Sequence, residues 1–260
     1  MKNHGRLQIV KNCFALAFVL LSIKAQAIVG FLPLTVSDQL KIQSHTVAVL
    51  NSQNPGNHSR CTGTLIAQDI VLTAAHCVPA SLENFWVVTS VYEFAVSERK
   101  QVTKVIVNEN YKSFDIPGVN NPNYDLALVK FAGGLPPVYK PTSYIDTFRP
   151  GTDRFWLYVA GYGISDEVKA DSGELRISKV TIESALINAG QSFMQGNQAK
   201  GEGICKGDSG GPAYIRLQDE FYVIGVVSAI KGGCLGTSYF NQTLFYQTWI
   251  KENLTRLSTL

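Results

Sequence analysis

Histidine is scarce in this sequence: its 260 residues hold four, His4, His45, His58 and His76. General-base chemistry at neutral pH therefore has few candidates. There is also no apolar run of the roughly 20 residues that a membrane-crossing helix needs. The stretch at residues 13–23 is only 11 long and is interrupted by Ser22. Charge of one sign is not in excess, with 23 Lys+Arg against 20 Asp+Glu. No phosphate-binding or dinucleotide glycine motif occurs, and no fixed-period repeat or low-complexity tract. These absences exclude a spanning helix and a nucleotide-dependent enzyme, and no cofactor is expected.

The apolar run belongs to a leader. Lys2, Arg6 and Lys11 precede it, and Ala25-Gln26-Ala27 follows with the small-x-small pattern of signal-peptidase sites. Residues 1–27 read as a secretory signal peptide, so the chain is expected to be secreted or periplasmic. The leader carries four Lys/Arg and no Asp/Glu, so its removal takes the net charge from +3 to 3 − 4 = −1. That removes the main support for nucleic acid or an anionic membrane as a partner. Of five cysteines, Cys61, Cys77, Cys205 and Cys234 remain, an even number that allows two disulfides in three pairings.

What fills the mature chain is short β-branched and aromatic runs between Gly, Pro, Asn, Asp and Ser clusters. Residues 46–50, 70–73, 85–94, 101–107, 126–131, 155–160, 175–184 and 221–229 read as strands. So many short strands indicate an all-β sandwich or barrel. Residues 244–257 break the pattern, with Phe245, Trp249, Ile250, Leu254 and Leu257 at helical spacing. Residues 133–141, rich in Gly and Pro, read as a linker near the middle of the mature chain.

The chemistry concentrates in Gly207-Asp208-Ser209-Gly210-Gly211-Pro212. Its G-x-S-x-G core also describes the nucleophile elbow of α/β-hydrolases, but there the acid and the histidine follow the serine. All four histidines here precede Ser209. A serine hydroxyl needs a general base within hydrogen-bond reach. His4 leaves with the leader, while His45 and His58 read as packing or surface residues. His76, in Leu72-Thr73-Ala74-Ala75-His76-Cys77, is the remaining candidate. Asp125 opens an apolar strand, where an acid is unfavourable without a partner.

In this order the motifs resemble those of the trypsin/chymotrypsin-like serine proteases. Ile28-Val29-Gly30, residues 72–77, residues 125–128 and residues 207–212 match the family's amino-terminal, histidine, aspartate and serine motifs across almost the whole mature chain. The resemblance implies two six-stranded antiparallel β-barrels, residues 28–140 and 141–260, with the active site in the cleft between them and a C-terminal α-helix. It implies Ser209 as nucleophile, His76 as base and Asp125 as its orienting acid, with the oxyanion hole from the N–H groups of Gly207 and Ser209. Ser228 matches the family serine near the aspartate. The implied disulfides are Cys61–Cys77 and Cys205–Cys234; with those cysteines paired, no metal site is expected. Ile28 would present its ammonium to Asp208 once the leader is cut, although Phe31 stands where the family usually has a second glycine.

The same resemblance places Gly203, Ile204, Ile230 and Ser238 in the specificity pocket. Gly203, six residues before Ser209, stands where trypsins carry an aspartate. Cleavage after Lys or Arg is thus disfavoured, and small or medium apolar side chains are expected. The expected partners are polypeptide substrates and protein inhibitors of a monomeric endopeptidase. Two rivals stand beside this reading: a silent relative acting as a binding module, and a structural β-protein. Asn57, Asn241 and Asn253 begin glycosylation acceptor patterns.

Overall fold

A computed structural model describes residues 34–54, 57–89, 98–112, 124–144, 155–169, 171–182, 192–198 and 203–259. The leader, Ile28 and Phe31 lie outside this set, as do residues 90–94 and 183–184 of two expected strands.

The fold consists of two closed six-stranded antiparallel barrels. The first comprises β1 (Thr46–Asn54), β2 (Asn57–Ala67), β3 (Ile70–Thr73), β4 (Phe85–Thr89), β5 (Glu98–Val107) and β6 (Ala127–Phe131), in the order β1-β2-β3-β6-β5-β4. The second comprises β7 (Phe155–Gly161), β8 (Arg176–Ile182), β9 (Phe193–Asn197), β10 (Pro212–Leu217), β11 (Glu220–Lys231) and β12 (Thr237–Gln242), in the order β10-β11-β12-β9-β8-β7. Closure gives every described strand a partner on each side over part of its length. Inward residues fill each barrel: Val47, Val49, Leu65, Val71, Phe85 and Val129 in the first, Leu157, Val159, Val180, Met194, Val227 and Phe240 in the second. β8 shows strict alternation, burying Arg176, Ser178, Val180 and Ile182 while the residues between them are partly exposed.

Four strands exceed the sequence reading: β2, β9, β10 and β12. The β10–β11 hairpin turns through Gln218 (φ 48°) and Asp219 (φ 66°), the paired positive φ of a type I′ turn that suits strand twist. An unexpected helix, α1 (Val36–His45), precedes β1. Thr35 caps it reciprocally: its Oγ1 accepts from the Asp38 N–H and donates to the Asp38 carboxylate. The C-terminal helix α2 runs from Gln247 to Ser258, starting three residues later than its apolar spacing indicates.

Helix α2 and the linker join the two halves. Tyr246, Ile250 and Leu257 pack on Ile70, Leu72, Leu126 and Leu128 of the first barrel, together with Val226 of the second. Lys130 donates to the carbonyl of Leu257, a cation at a helix C-terminus where the dipole favours it. Directly after the linker, the Thr142 N–H donates to Leu65 of β2 and the Thr142 hydroxyl to Phe221 of β11, strapping one barrel to the other. Among the described residues no helix is long and apolar enough to cross a membrane.

Candidate active site

His76 stands on a single 3₁₀ turn, Ala75–Cys77, where fully buried β3 ends. The disulfide Cys61–Cys77, with Cα atoms 6.0 Å apart, ties that turn to β2. Asp125 precedes β6 and follows Tyr124, whose φ of +50° is unusual for an aromatic residue. The Leu126 N–H closes back on the Tyr124 carbonyl at 2.8 Å, and the Tyr124 ring packs edge-on against Tyr246. Local backbone strain of this kind persists where packing over-determines it, and here it fixes the direction of Asp125.

The Asp125 side chain is fully buried. Its Oδ2 lies 2.8 Å from His76 Nδ1 and accepts from Ser228 Oγ at 2.7 Å. Its Oδ1 accepts from the His76 main-chain N–H at 3.0 Å. Three donors therefore satisfy one buried carboxylate, which is what keeps a dry charge tolerable. With Nδ1–H directed at Asp125, a neutral imidazole carries its lone pair on Nε2.

The Ser209 loop is sewn to both barrels. The Ser209 carbonyl accepts from Thr62 N–H at 2.8 Å and lies 3.6 Å from Cys77 Sγ, next door to His76. Gly210 N–H donates to Val227, and Val227 N–H returns to Gly211. The Thr62 hydroxyl donates to Gly207 and accepts from Tyr162 N–H. Thr62 thus supports the loop from beneath, a role with no sequence signal. Gly207 (φ 98°) and Gly210 (φ 77°) adopt left-handed backbone. A Cβ on Gly210 would lie 2.0 Å from Thr73 Oγ1 and 2.5 Å from the Thr62 carbonyl. Gly210→Ala is therefore expected to lose about 1–2 kcal/mol to backbone strain and about 1–3 more to crowding. Thermal melting should show a fall of roughly 6 °C or more; a wild-type melt would contradict this packing.

The model of the Trypsin family matches residues 36–250. The chain belongs to the trypsin family. It is 28% identical over 228 residues to "Serine protease SP24D" of Anopheles gambiae, covering 82% of this chain and 77% of that protein. To "Chymotrypsin-like elastase family member 1" of Canis lupus familiaris it is 27% identical over 215 residues, 74% of this chain and 80% of the other. "Ovochymase" of Halocynthia roretzi is 25% identical over 217 residues, 73% of this chain but 13% of that longer protein. Family and double-barrel fold together make this chain a serine endopeptidase, a class that acts on polypeptides.

Other expected residues of this trypsin-family protease take the following places. Cys205 and Cys234 form the second disulfide, as the resemblance implied. Asp208 is buried; its carboxylate accepts from Gly163 N–H and Cys205 N–H, each at 2.8 Å. Burial pushes its pKa up to about 6, against the pull of those two donors and of Arg176. The Arg176 guanidinium, buried on the inward face of β8, donates to the Gly163 carbonyl and braces that residue from the other side. Ile204, Ser228 and Ser238 are buried, and Ile230 packs against the cluster that contains Ile204. The Ser238 hydroxyl is directed at the Gly196 carbonyl, 3.3 Å away.

Two further residues have structural roles that the sequence does not announce. Asn241 is fully buried and donates to the main-chain carbonyl of Asp125 at 2.8 Å, a role unsuited to a glycosylated side chain. Gln198 is buried beside Gly203. Among the described residues, Cys61, His76 and Cys77 bring ligand-type atoms within 4.8 Å of one another, but both sulfurs are held in the disulfide and cannot ligate a metal.

Proposed function

We propose that this chain is a secreted endopeptidase that cuts peptide bonds through an acyl-enzyme formed on Ser209. The observation that carries the reading is the buried Asp125 carboxylate held on His76 Nδ1 and braced by Ser228. Ser209 Oγ attacks the peptide carbonyl while its proton passes to His76 Nε2. The tetrahedral oxyanion is received by the N–H groups of Gly207 and Ser209, where each donor is worth roughly 10²–10³ in kcat. Collapse expels the amine, which takes the proton from His76. Water then attacks the acyl-enzyme by the same route and releases the carboxylic acid. Asp125 stabilises the imidazolium at each stage without itself taking the proton.

Gly203 leaves the pocket without a charge for Lys or Arg, and Ile204 and Ile230 narrow it, which favours small or medium apolar side chains before the cut. The segment of β11 after Ser228 offers backbone for pairing with an extended substrate. Residues 1–27 direct export, and the enzyme acts as a monomer open to protein inhibitors. A fluorophosphonate probe tests the core of this reading. Labelling at Ser209 is expected in the mature protein and should vanish in Ser209→Ala and His76→Ala. A folded mature protein that takes no label is instead a binding module or a structural β-protein.

A further inference from the structure

Gln198 follows the last residue of β9, and no motif points to it. Its side chain is fully buried and fully used. Nε2 donates to the Ile204 carbonyl at 3.0 Å and to the Cys234 carbonyl at 2.9 Å, while Oε1 accepts from Ile204 N–H at 2.7 Å. Ile204 and Cys234 belong to the two segments joined by the Cys205–Cys234 disulfide, which the proposed function takes as walls of the pocket. The carboxamide is therefore a second, non-covalent tie between the same walls. Its orientation is determined, because a flip would set an amide N–H₂ against Ile204 N–H and an oxygen against two carbonyls.

The amide also occupies a particular volume. A Cβ built on Gly203 would lie 2.2 Å from Gln198 Cδ and 2.3 Å from its Oε1. The space that a side chain at 203 would use is already filled by Gln198, reaching in from β9. Ile204, at 1% exposure, and the packed Ile230 close the sides. The absence of an acid at 203 is thus only half of the arrangement.

We propose that Gln198 backs the floor of the primary specificity pocket, filling the space behind Gly203 and so setting the pocket's depth and keeping it neutral. The substrate class that follows is polypeptides with a short, uncharged side chain before the cut. This rests on the reading that Gly203, Ile204 and Ile230 line that pocket, and it adds a specificity residue from outside the expected set. It also explains why Gly203→Asp alone would not create a site for Lys or Arg: the new carboxylate would meet the Gln198 amide rather than a cavity.

The test is a peptide library varied at the residue before the cut, run on the mature enzyme alongside fluorophosphonate labelling. Wild type should favour Ala and Val over Leu and Phe. Gln198→Ala, which opens the floor, should raise the ratio of kcat/KM for Leu or Phe over Ala by tenfold or more, the scale at which pockets discriminate single methylenes. Labelling at Ser209 in that variant serves as the control that its serine is still reactive, so that a changed profile reports the pocket. If the alanine variant does not fold, Gln198→Asn keeps an amide one methylene shorter and should move preference in the same direction by a smaller factor. Normal labelling with an unchanged profile in a folded variant overturns the floor assignment alone. Failure of the wild type to label overturns the enzymatic reading and this one with it. Strong wild-type cleavage after Lys or Arg overturns the neutral, shallow pocket.

Discussion

Asp125→Asn is expected to lower kcat by about 10⁴, the size seen when a buried triad aspartate becomes an amide, while leaving the melt close to wild type. The two side chains have the same shape, and the bond from Asn241 goes to the main-chain carbonyl at 125, which the substitution does not touch. What changes is the direction of the two hydrogen bonds made by Oδ2. Asp125 Oδ1 accepts from the His76 main-chain N–H, so an asparagine oxygen would keep that place and turn its amide N–H₂ toward Oδ2's partners. The Ser228 hydroxyl can rotate to accept. The imidazole can adapt only by moving its proton from Nδ1 to Nε2, and Nε2–H cannot take the proton of Ser209. The loss should therefore fall on kcat with little change in KM, as expected for an interaction needed in the transition state. Asp125→Ala differs, because it leaves three buried donors without an acceptor, each costing about 1–3 kcal/mol. It should lower the melt as well as the rate. An asparagine variant within tenfold of wild-type kcat would remove Asp125 from the mechanism.

The candidate residues of this site could be named from the sequence because the chemistry leaves little choice of residue type. One base, one acid and one nucleophile in glycine had few candidates among four histidines. The apolar strands β3, β4, β6, β7 and β11 were legible too, since runs of Val, Leu, Ile and aromatics have few destinations in a chain of this size. β12 was not. Its Ser238, Asn241 and Gln242 are as buried as any core residue, but they are polar because they satisfy backbone groups of Gly196, Asp125 and Phe193. Read by hydropathy, such a strand looks like a loop. Helix α1 escaped for a related reason: it buries Ile42 while Val36 and Leu40 remain 67% and 56% exposed, so no apolar stripe marks it. Its Thr35–Asp38 capping pair was the available signal. Gln198 had none at all, since its partner Cys234 lies 36 residues along the chain and its function is set by a volume, not a motif.

Adding one residue before Ile28 is expected to abolish activity, and the reason lies in Asp208. Gly161 and Gly163 crowd its carboxylate so closely that a Cβ on either would lie 2.1 Å and 2.7 Å away, respectively, leaving no room for a side-chain partner from those positions. Two main-chain donors and Arg176 stabilise the anion, yet burial still holds its pKa near 6 against an ordinary value of 3.8. The folded extended chain thus keeps a proton that the unfolded chain releases between about pH 4 and pH 6. Its stability should fall as pH rises through that window, by about 3 kcal/mol in total for this group. An Ile28 ammonium inserted beside Asp208, as we propose for the mature chain, would reverse the sign, since a neighbouring positive charge favours the ionised form. Without that partner at pH 8 the buried charge would have only its two main-chain donors and the more distant Arg176; breaking a buried ion pair costs about 3–5 kcal/mol, against which the Gly207–Ser209 loop and its oxyanion donors would have to hold. A loss of roughly 10²-fold or more in kcat/KM follows. The measurement pairs activity with thermal midpoints from pH 4 to pH 8, using Ser209→Ala chains for the melts so that none digests itself. The extended chain should lose stability across pH 4–6, its Asp208→Asn variant should not, and the mature chain should be flat or rise. Full activity in the extended chain, or identical pH profiles for extended and mature chains, would show that Asp208 takes its counter-charge from within the barrel, with Arg176 as the group to test next.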